Sequence, residues 1–150
     1  MPNTFPLDNG YHITLSDQHS CEEEDVVNEG LYAYNRATAG HEHYTPLNLF
    51  IRDESGTIKG GLLGATYWGW CAINILWLHD DLRGKGYGTR LVQIAEEEAV
   101  RRGRFGAHLD TMSFQALPFY QKLGYTVFGQ IDDLPMGHAR YYLKKMLKPE

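Results

Sequence analysis

A short glycine-rich stretch is the part of the sequence best suited to chemistry. It reads Arg83-Gly84-Lys85-Gly86-Tyr87-Gly88, so that glycines alternate with two cationic side chains and a tyrosine. Glycines allow successive backbone N–H groups to turn toward one point, and a helix N-terminus adds unpaired donors and partial positive charge. The stretch predicts a binding loop for a phosphate or pyrophosphate. A tight strand-to-helix turn without a ligand fits the same residues.

The flanking residues predict the elements that position this loop. Residues 73–78 form an apolar run of strand length that ends at His79. From Thr89 onward the apolar residues recur at helical spacing as far as Gly103, a natural helix stop. The predicted inner face of this helix holds Leu91, Ile94, Ala95 and Ala99, and the outer face holds Arg90, Gln93, Glu96, Glu97 and Arg101.

The rest of the chain predicts strands in an antiparallel meander and two further helices. Strands are expected near residues 11–15, 47–51, 57–67, 105–110, 125–128 and 139–147. One helix should follow a cap at Asp17 or Ser20, and another should start near Ala116. The order predicts a single α+β domain over residues 1–150, built on a mixed sheet.

Composition and charge narrow the class of partner. The net charge of −5 argues against nucleic acid, whereas a local basic loop in an acidic protein suits a small anionic ligand. Cys21 and Cys71 are too few for a disulfide framework. With neither a long apolar run nor a leader-like segment in the sequence, we expect no membrane partner and a cytoplasmic location.

Two motifs carry a resemblance to the GNAT superfamily of acyl-CoA-dependent N-acetyltransferases. The family's pyrophosphate motif, Arg/Gln-x-x-Gly-x-Gly/Ala, is matched from Arg83, with its small positions at Gly86 and Gly88. Residues 116–125 resemble the family's Ala-x-x-Phe/Leu-Tyr-x-x-x-Gly-Phe/Tyr segment at the expected distance. The chain departs from the pattern at Ser113, where many members carry Asn. The resemblance implies a GNAT-like fold and acetyl-CoA as the cosubstrate.

The resemblance also implies which residues meet acetyl-CoA. The central strand should splay from its neighbour near Leu76, Trp77 and Leu78, so that its backbone pairs with the pantetheine arm. Ser113 takes the place of an accessory contact near that arm. The pyrophosphate would lie on the backbone of Arg83, Gly84, Lys85, Gly86, Tyr87, Gly88 and Thr89.

Acetyl transfer to an amine needs a proton acceptor for the ammonium and a donor for the departing thiolate. Tyr120 occupies the position that is the general acid in many family members, although it could simply be a packing residue. His79 is our candidate base, with Asp110, Asn74 or a chain of waters as alternatives. We expect Glu42, Asp110 and His138 to meet a cationic substrate. A polar loop without a ligand is the alternative for Glu42 and His138.

We weighed three other functions. A dinucleotide-binding oxidoreductase requires Gly-x-Gly-x-x-Gly and a doubly wound sheet, and the sequence predicts neither. A metal site at His41-x-His43 lacks a supporting ligand framework, so we expect no metal. A non-catalytic acyl-CoA sensor on the same fold is the main alternative. The sequence predicts an N-acetyltransferase acting on a primary amine by direct transfer in a ternary complex, and a homodimer from family habit. The acceptor is predicted to be a small molecule, with a protein amine as second choice.

Overall fold

The computed structural model describes residues 3–148. The chain divides into two compact units, residues 1–41 and residues 42–150, which are treated separately below. The single domain expected over residues 1–150 stays a prediction.

The first unit contains a strand pair and one long helix. Strands β1 (Thr4–Pro6) and β2 (His12–Thr14) pair antiparallel, and helix α1 spans Cys21–Ala39. Of the two caps considered, Ser20 is the one used: its hydroxyl accepts a hydrogen bond from the Glu23 amide at 3.4 Å. The acidic residues that follow Ser20 suit the positive end of the helix dipole.

The second unit is a six-stranded sheet with two helices. Its elements are β3 (Thr45–Arg52), β4 (Ile58–Tyr67), β5 (Trp70–Leu78), α2 (Tyr87–Arg101), β6 (Gly106–Met112), α3 (Leu117–Lys122), β7 (Thr126–Asp132) and β8 (Ala139–Met146). The strand order is β3-β4-β5-β6-β8-β7, and only β5 and β6 are parallel neighbours. The predicted α+β class with a mixed, mostly antiparallel sheet is therefore confirmed.

One face of the sheet forms the core with α2. Leu91, Ala95 and Ala99 are buried as predicted, in one cluster with Leu62, Leu109 and Leu143 from the sheet. The prediction was wrong at Glu96, which does not face solvent: its side chain is 16% exposed and accepts hydrogen bonds from Tyr125 and Lys145. A charged residue can occupy the inner side of a helix when cationic and hydroxyl partners satisfy it.

Helix α2 begins two residues earlier than predicted. Gly86 precedes it with φ 84°, ψ 4°, so the chain enters the helix at Tyr87 rather than at Thr89. This left-handed conformation is accessible to glycine at little cost. The helix N-terminus therefore lies inside the glycine-rich loop.

A β-bulge divides β5 into two halves. Leu63 of β4 pairs with Ile75, whereas Gly64 pairs with Ile73, which leaves Asn74 as the extra residue. An extra residue reverses the alternation of side chains between the two faces of a sheet. Cys71 and Ile73 consequently belong to the core cluster before the bulge, and Leu76 and Leu78 pack against that cluster after it. The bulge thus re-aims the half of β5 that leads to the glycine-rich loop.

Within residues 3–148, no helix combines the length and the apolar character needed to cross a lipid bilayer.

Candidate active site

The parallel strands β5 and β6 separate partway along their length. They pair from Trp70↔Gly106 to Ile73↔Leu109 and no further, although β5 runs on to Leu78. Beyond that point β5 stays paired with β4, and β6 stays paired with β8. The sheet therefore opens into a V whose sides are two well-supported strands. The splay predicted near Leu76 begins at Asn74.

A cavity of about 670 Å³ occupies this opening. It joins the end of β5, the glycine-rich loop, the end of β6 and helix α3. Its lining residues are Ile73, Asn74, Ile75, Leu76, Trp77, Leu78, Arg83, Gly88, Asp110, Thr111, Phe114, Gln115, Ala116, Phe119 and Tyr120. The structure thus brings Arg83 and Gly88 of the predicted loop together with Asp110 and Tyr120.

The glycines of the loop serve two different purposes. Gly84 and Gly86 have φ angles of 72° and 84°, and a Cβ added to either would meet no atom within 4 Å. Gly88 instead lies inside the first turn of α2, where an added Cβ would come within 3.3 Å of the Phe119 ring. Gly84 and Gly86 therefore shape a turn beside open space, and Gly88 allows α2 to approach α3 closely.

The loop combines backbone donors with side-chain cations. The N–H groups at the start of α2 have no acceptor inside the helix, as at any helix N-terminus. The sequence predicted the Arg83 amide as a donor to the ligand. This amide instead donates to the Asp80 carbonyl in the preceding turn, at 3.3 Å. The Arg83 guanidinium lies 3.2 Å from the Asp80 carboxylate and, like Lys85, is on an exposed residue. These features suit an anion.

Tyr120 lies on the wall of the cavity that α3 provides. It is buried, and its ring packs edge-on against Phe119 and Tyr125 at centroid distances of 5.0 Å and 6.0 Å. Burial, and secondarily the negative charge of Asp110, raises the pKa of the Tyr120 phenol to about 12. The hydroxyl therefore keeps its proton throughout the neutral range and can donate it or a hydrogen bond.

Asp110 lies opposite, on the half of β6 that diverges from β5. One of its oxygens, Oδ1, accepts from Nε of Arg140 at 2.9 Å and from Nη2 at 2.6 Å. The pKa of Arg140 is raised, chiefly by this hydrogen bond and the Asp110 charge. The sequence analysis missed Arg140, because nothing within the sequence pairs it with a residue thirty positions earlier.

His79 directly follows the last residue of β5 but does not line the cavity. Its Nδ1 accepts a hydrogen bond from the Asp81 amide at 3.2 Å and lies 3.3 Å from the Asp81 carboxylate. The ring thereby caps the short turn at Asp80–Leu82. If His79 is the general base, as predicted, it has to act from outside the set of residues that line the cavity.

Ser113 and His138 lie where β6 and β8 meet. The Ser113 hydroxyl accepts from the Ala139 amide at 3.0 Å, and the Ser113 amide donates to the Ala139 carbonyl at 2.7 Å. His138 packs edge-on against Phe114 with centroids 4.9 Å apart. Neither residue lines the cavity. Phe114 does line it, so the Phe114 ring lies between His138 and the cavity.

Glu42 lies away from the cavity. Its carbonyl accepts from the amide of Trp68, in the turn between β4 and β5, at 2.9 Å. Trp68 and Gly69 have φ angles of 44° and 81°, as a two-residue hairpin turn requires. This turn is at the start of β5, whereas the cavity lies along its second half. A direct contact between Glu42 and a substrate in the cavity, as predicted, does not fit this placement.

Two further residues of the cavity were given no role by the sequence: Phe119, which matches the Phe/Leu position of the second motif, and Gln115, which no motif marks. Phe119 packs against Gly88, and the side-chain oxygen of Gln115 accepts from the Met112 amide at 2.8 Å. Gln115 thereby stabilises the turn that leads from β6 to Tyr120. Among the residues that the structure describes, no group of three or more His, Cys, Asp or Glu side chains is arranged to hold a metal ion.

Comparison with known proteins identifies a family model and relatives that this chain resembles. Residues 11–125 match the model of the Acetyltransferase (GNAT) family. The acetyltransferase Atu2258 of Agrobacterium fabrum is 37% identical over 134 residues, which is 89% of this chain and 98% of that protein. Blasticidin-S acetyltransferase of Streptomyces morookaense is 39% identical over 95 residues, covering 63% of this chain and 70% of that protein.

Comparison with solved structures also identifies acetyltransferases. An acetyltransferase from Agrobacterium tumefaciens superposes with a TM-score of 0.87 at 36% identity, covering 90% of this chain and 98% of that one. A streptothricin acetyltransferase from Bacillus anthracis, solved in complex with acetyl coenzyme A, superposes with a TM-score of 0.54 at 22% identity, over 61% of this chain and 57% of that one. The second match concerns the fold alone.

Proposed function

We propose a reaction for this chain from the premise that it belongs to the acetyltransferase (GNAT) family. It is an acetyl-CoA-dependent acetyltransferase. The acceptor that we propose is a primary amine of a small molecule, acetylated by direct transfer while acetyl-CoA and the amine are bound together. The observation that carries this proposal is the splay between β5 and β6, with an anion-suited loop at one end and Tyr120 and Asp110 within it.

Acetyl-CoA would lie along the open edge of β5. The pyrophosphate would accept hydrogen bonds from the backbone between Gly84 and Thr89, with Arg83 and Lys85 adding positive charge. Within the part of the chain that the structure describes, Leu76, Trp77 and Leu78 have no strand partner on the β6 side, although the Leu78 carbonyl accepts from Nε of Arg83 at 3.4 Å. The backbone of these residues would pair with the amide groups of the pantetheine arm. A backbone N–H of this segment would then polarise the thioester carbonyl as the tetrahedral intermediate forms. Ser113 would support this arrangement by holding the end of β6 against β8.

The amine nitrogen attacks the thioester carbon, and the carbon–sulfur bond then breaks. The bound ammonium group first loses one proton, which gives the neutral amine that attacks. The nitrogen loses a second proton as the amide forms, and the sulfur gains one as the CoA thiol forms. We propose that Tyr120 donates to the departing sulfur. Because its phenol holds its proton up to a pKa of about 12, it is a better hydrogen-bond donor to a thiolate than a full proton source. The proton that the sulfur gains is therefore the second one lost by the nitrogen, and His79 is the proposed acceptor of the first, by way of water.

The acceptor side of the cavity combines one carboxylate with apolar surface. Asp110 would bind the ammonium group, while the exposed side chains of Ile75, Trp77 and Phe114 would contact an apolar or planar part of the molecule. His138 would border this surface through Phe114. A relative named as a blasticidin-S acetyltransferase supports a small molecule over a protein acceptor.

The assignment of the loop is tested by acetyl-CoA titration calorimetry on the wild type, Gly86→Glu and Gly103→Glu. Both glycines have positive φ, 84° and 74°, with open space around an added Cβ. The two substitutions therefore impose similar backbone strain, but only the first adds a negative charge to the loop. We expect Gly86→Glu to weaken binding at least about fiftyfold, because a like charge would lie beside the pyrophosphate, and Gly103→Glu to bind like the wild type.

Equal binding by all three proteins would refute the loop assignment. Failure of the wild type to bind acetyl-CoA would refute the proposed function and favour a scaffold without catalysis. The melting temperature of each variant, measured alongside, reveals whether a loss of binding is only a loss of folding.

We also propose a homodimer and a cytoplasmic location. Edge strand β7 exposes Val127, Phe128 and Ile131, and an edge strand with apolar side chains is suited to association. Cys21 and Cys71 are free thiols, which suit a reducing compartment. Sedimentation velocity and cell fractionation test the two statements.

A further inference from the structure

We propose that Arg140 is a positioning residue that holds the Asp110 carboxylate by one oxygen and leaves the other for the ammonium group of the acceptor. This inference rests on the proposed function and deepens it, because it states how the amine is recognised. Arg140 itself is not among the residues that line the cavity.

Arg140 contacts only one of the two carboxylate oxygens of Asp110. Both nitrogens of Arg140 donate to the same atom, Oδ1 of Asp110, at 2.9 Å and 2.6 Å. A guanidinium that paired with both oxygens would occupy the whole carboxylate edge. Here Arg140 does not use Oδ2, so an incoming donor can bind there without displacing the pair.

The sheet register places the two residues together. Asp110 pairs with Tyr142, and Met112 pairs with Arg140, so Asp110 and Arg140 are diagonal neighbours on one face of adjacent strands. The Tyr142 ring lies 5.6 Å from the guanidinium carbon and adds a cation–π contact. Arg140 is thus held by its strand, by a ring and by Asp110, which limits the orientations open to the carboxylate.

Charge also favours this arrangement for a cation. Among the described side chains that line the cavity, Asp110 is the only carboxylate and Arg83 the only cation. An ammonium group at Oδ2 would contact the negative charge directly, whereas the Arg140 charge would lie beyond the carboxylate. The attraction acts over the shorter distance and therefore exceeds the repulsion. The fixed orientation that Arg140 gives to the carboxylate outweighs this repulsion, and the same orientation determines whether the nitrogen faces the thioester.

The experiment compares Asp110→Asn, Arg140→Gln, Arg140→Lys and the double variant Asp110→Asn/Arg140→Gln with the wild type. Each is assayed with acetyl-CoA and an amine panel of blasticidin S, spermidine and benzylamine. Acetyl-CoA affinity and melting temperature are measured in parallel. We expect Arg140→Gln and Asp110→Asn each to raise KM for the amine about tenfold or more, because each removes part of a charged hydrogen-bonding set.

The expected pattern separates positioning from bulk stability. The double variant should be no worse than Asp110→Asn, since Arg140 acts only through Asp110. Arg140→Lys should recover part of the loss, because it keeps the charge but not the planar fork. Acetyl-CoA affinity should not change. Additive effects in the double variant, or an unchanged KM in Arg140→Gln, would overturn the inference.

A crystal structure of Arg140→Gln supplies a readout independent of activity. We expect the Asp110 carboxylate to rotate away from its wild-type orientation, and an unchanged carboxylate would overturn the inference even if no amine were acetylated. An inactive wild type that binds acetyl-CoA, with a carboxylate that moves in Arg140→Gln, would instead refute these three amines as acceptors and leave the positioning role supported.

Discussion

At the residue scale, the cavity separates two tyrosines that the sequence places five positions apart. The Tyr125 hydroxyl donates to Glu96 at 2.9 Å, which commits it to the core. Tyr120 instead lines the cavity and carries a phenol whose pKa burial raises to about 12. The local pattern of apolar and aromatic residues does not distinguish these two environments, whereas the packing of α3 against α2 does.

We predict that Tyr120→Phe lowers kcat by about a hundredfold to a thousandfold, the usual effect of removing one hydrogen-bond donor to a developing negative charge, and leaves acetyl-CoA affinity unchanged. Because the raised pKa keeps the phenol protonated below about 12, its ionisation should produce no fall in wild-type kcat between pH 7 and 10. Steady-state kinetics over this range are the measurement. Tyr141→Phe, a change at a half-buried tyrosine outside the cavity, serves as the control. Equal kcat values for the two variants would show that Tyr120 contributes only packing.

At the scale of elements, helix α2 is joined to the sheet by a buried polar set as well as by apolar packing. Glu96 accepts from the Tyr125 hydroxyl and from the Lys145 ammonium, the latter at 2.8 Å and 3.1 Å from its two oxygens. Burial, with the Glu96 charge adding to it, raises the pKa of the Tyr125 phenol, so this hydroxyl stays a donor. The set connects α2 to β8 and to the start of β7.

Replacing Glu96 should therefore cost more than replacing its neighbour. We predict that Glu96→Ala lowers the free energy of unfolding by about 2 kcal/mol, because it leaves the buried Tyr125 hydroxyl and the Lys145 ammonium group without their acceptor. Glu97→Ala, at an exposed residue whose ion pair with Arg90 spans 3.4 Å, should change it by less than about 0.5 kcal/mol. Urea denaturation measures both values. Similar losses in the two variants would show that the buried set adds nothing beyond surface charge.

At the scale of the whole molecule, acid stability should depend in part on the Glu98 carboxylate near the end of α2. Glu98 accepts from Arg101 at 2.6 Å and from Arg102 at 2.7 Å, and these hydrogen bonds lower its pKa from 4.5 to about 2. Arg102 also donates to the Pro46 carbonyl at 3.1 Å and the Thr66 hydroxyl at 3.2 Å. The Glu98 carboxylate therefore helps to orient the guanidinium that holds α2 against β3 and β4.

A lowered pKa in the folded state means that the stabilisation is present above the unfolded value and is lost as the pH falls. We predict that the wild type loses melting temperature between pH 4.5 and pH 2, and that Glu98→Gln, less stable at pH 7, loses less over that interval. Thermal unfolding monitored by circular dichroism across this range is the test, with Glu97→Gln as the control. Parallel curves for wild type and Glu98→Gln would exclude Glu98 as the source.

The sequence by itself determined the features that depend on neighbours along the chain. The glycine loop, the strand before it and the helix after it follow from local conformational freedom and periodicity, and two spaced motifs were enough to indicate the family. The predicted ends of these elements were close but not exact, since α2 begins at Tyr87, two residues earlier than predicted.

Only the tertiary structure decided which side chains share the cavity. The pairing of Asp110 with Arg140 requires the β6–β8 register, and the bulge at Asn74 requires the β4–β5 register. The position of Glu42 beside the β4–β5 turn follows from a hydrogen bond between distant residues. Register and turn contacts arise from packing over long sequence separations, and no local pattern of residue types specifies them.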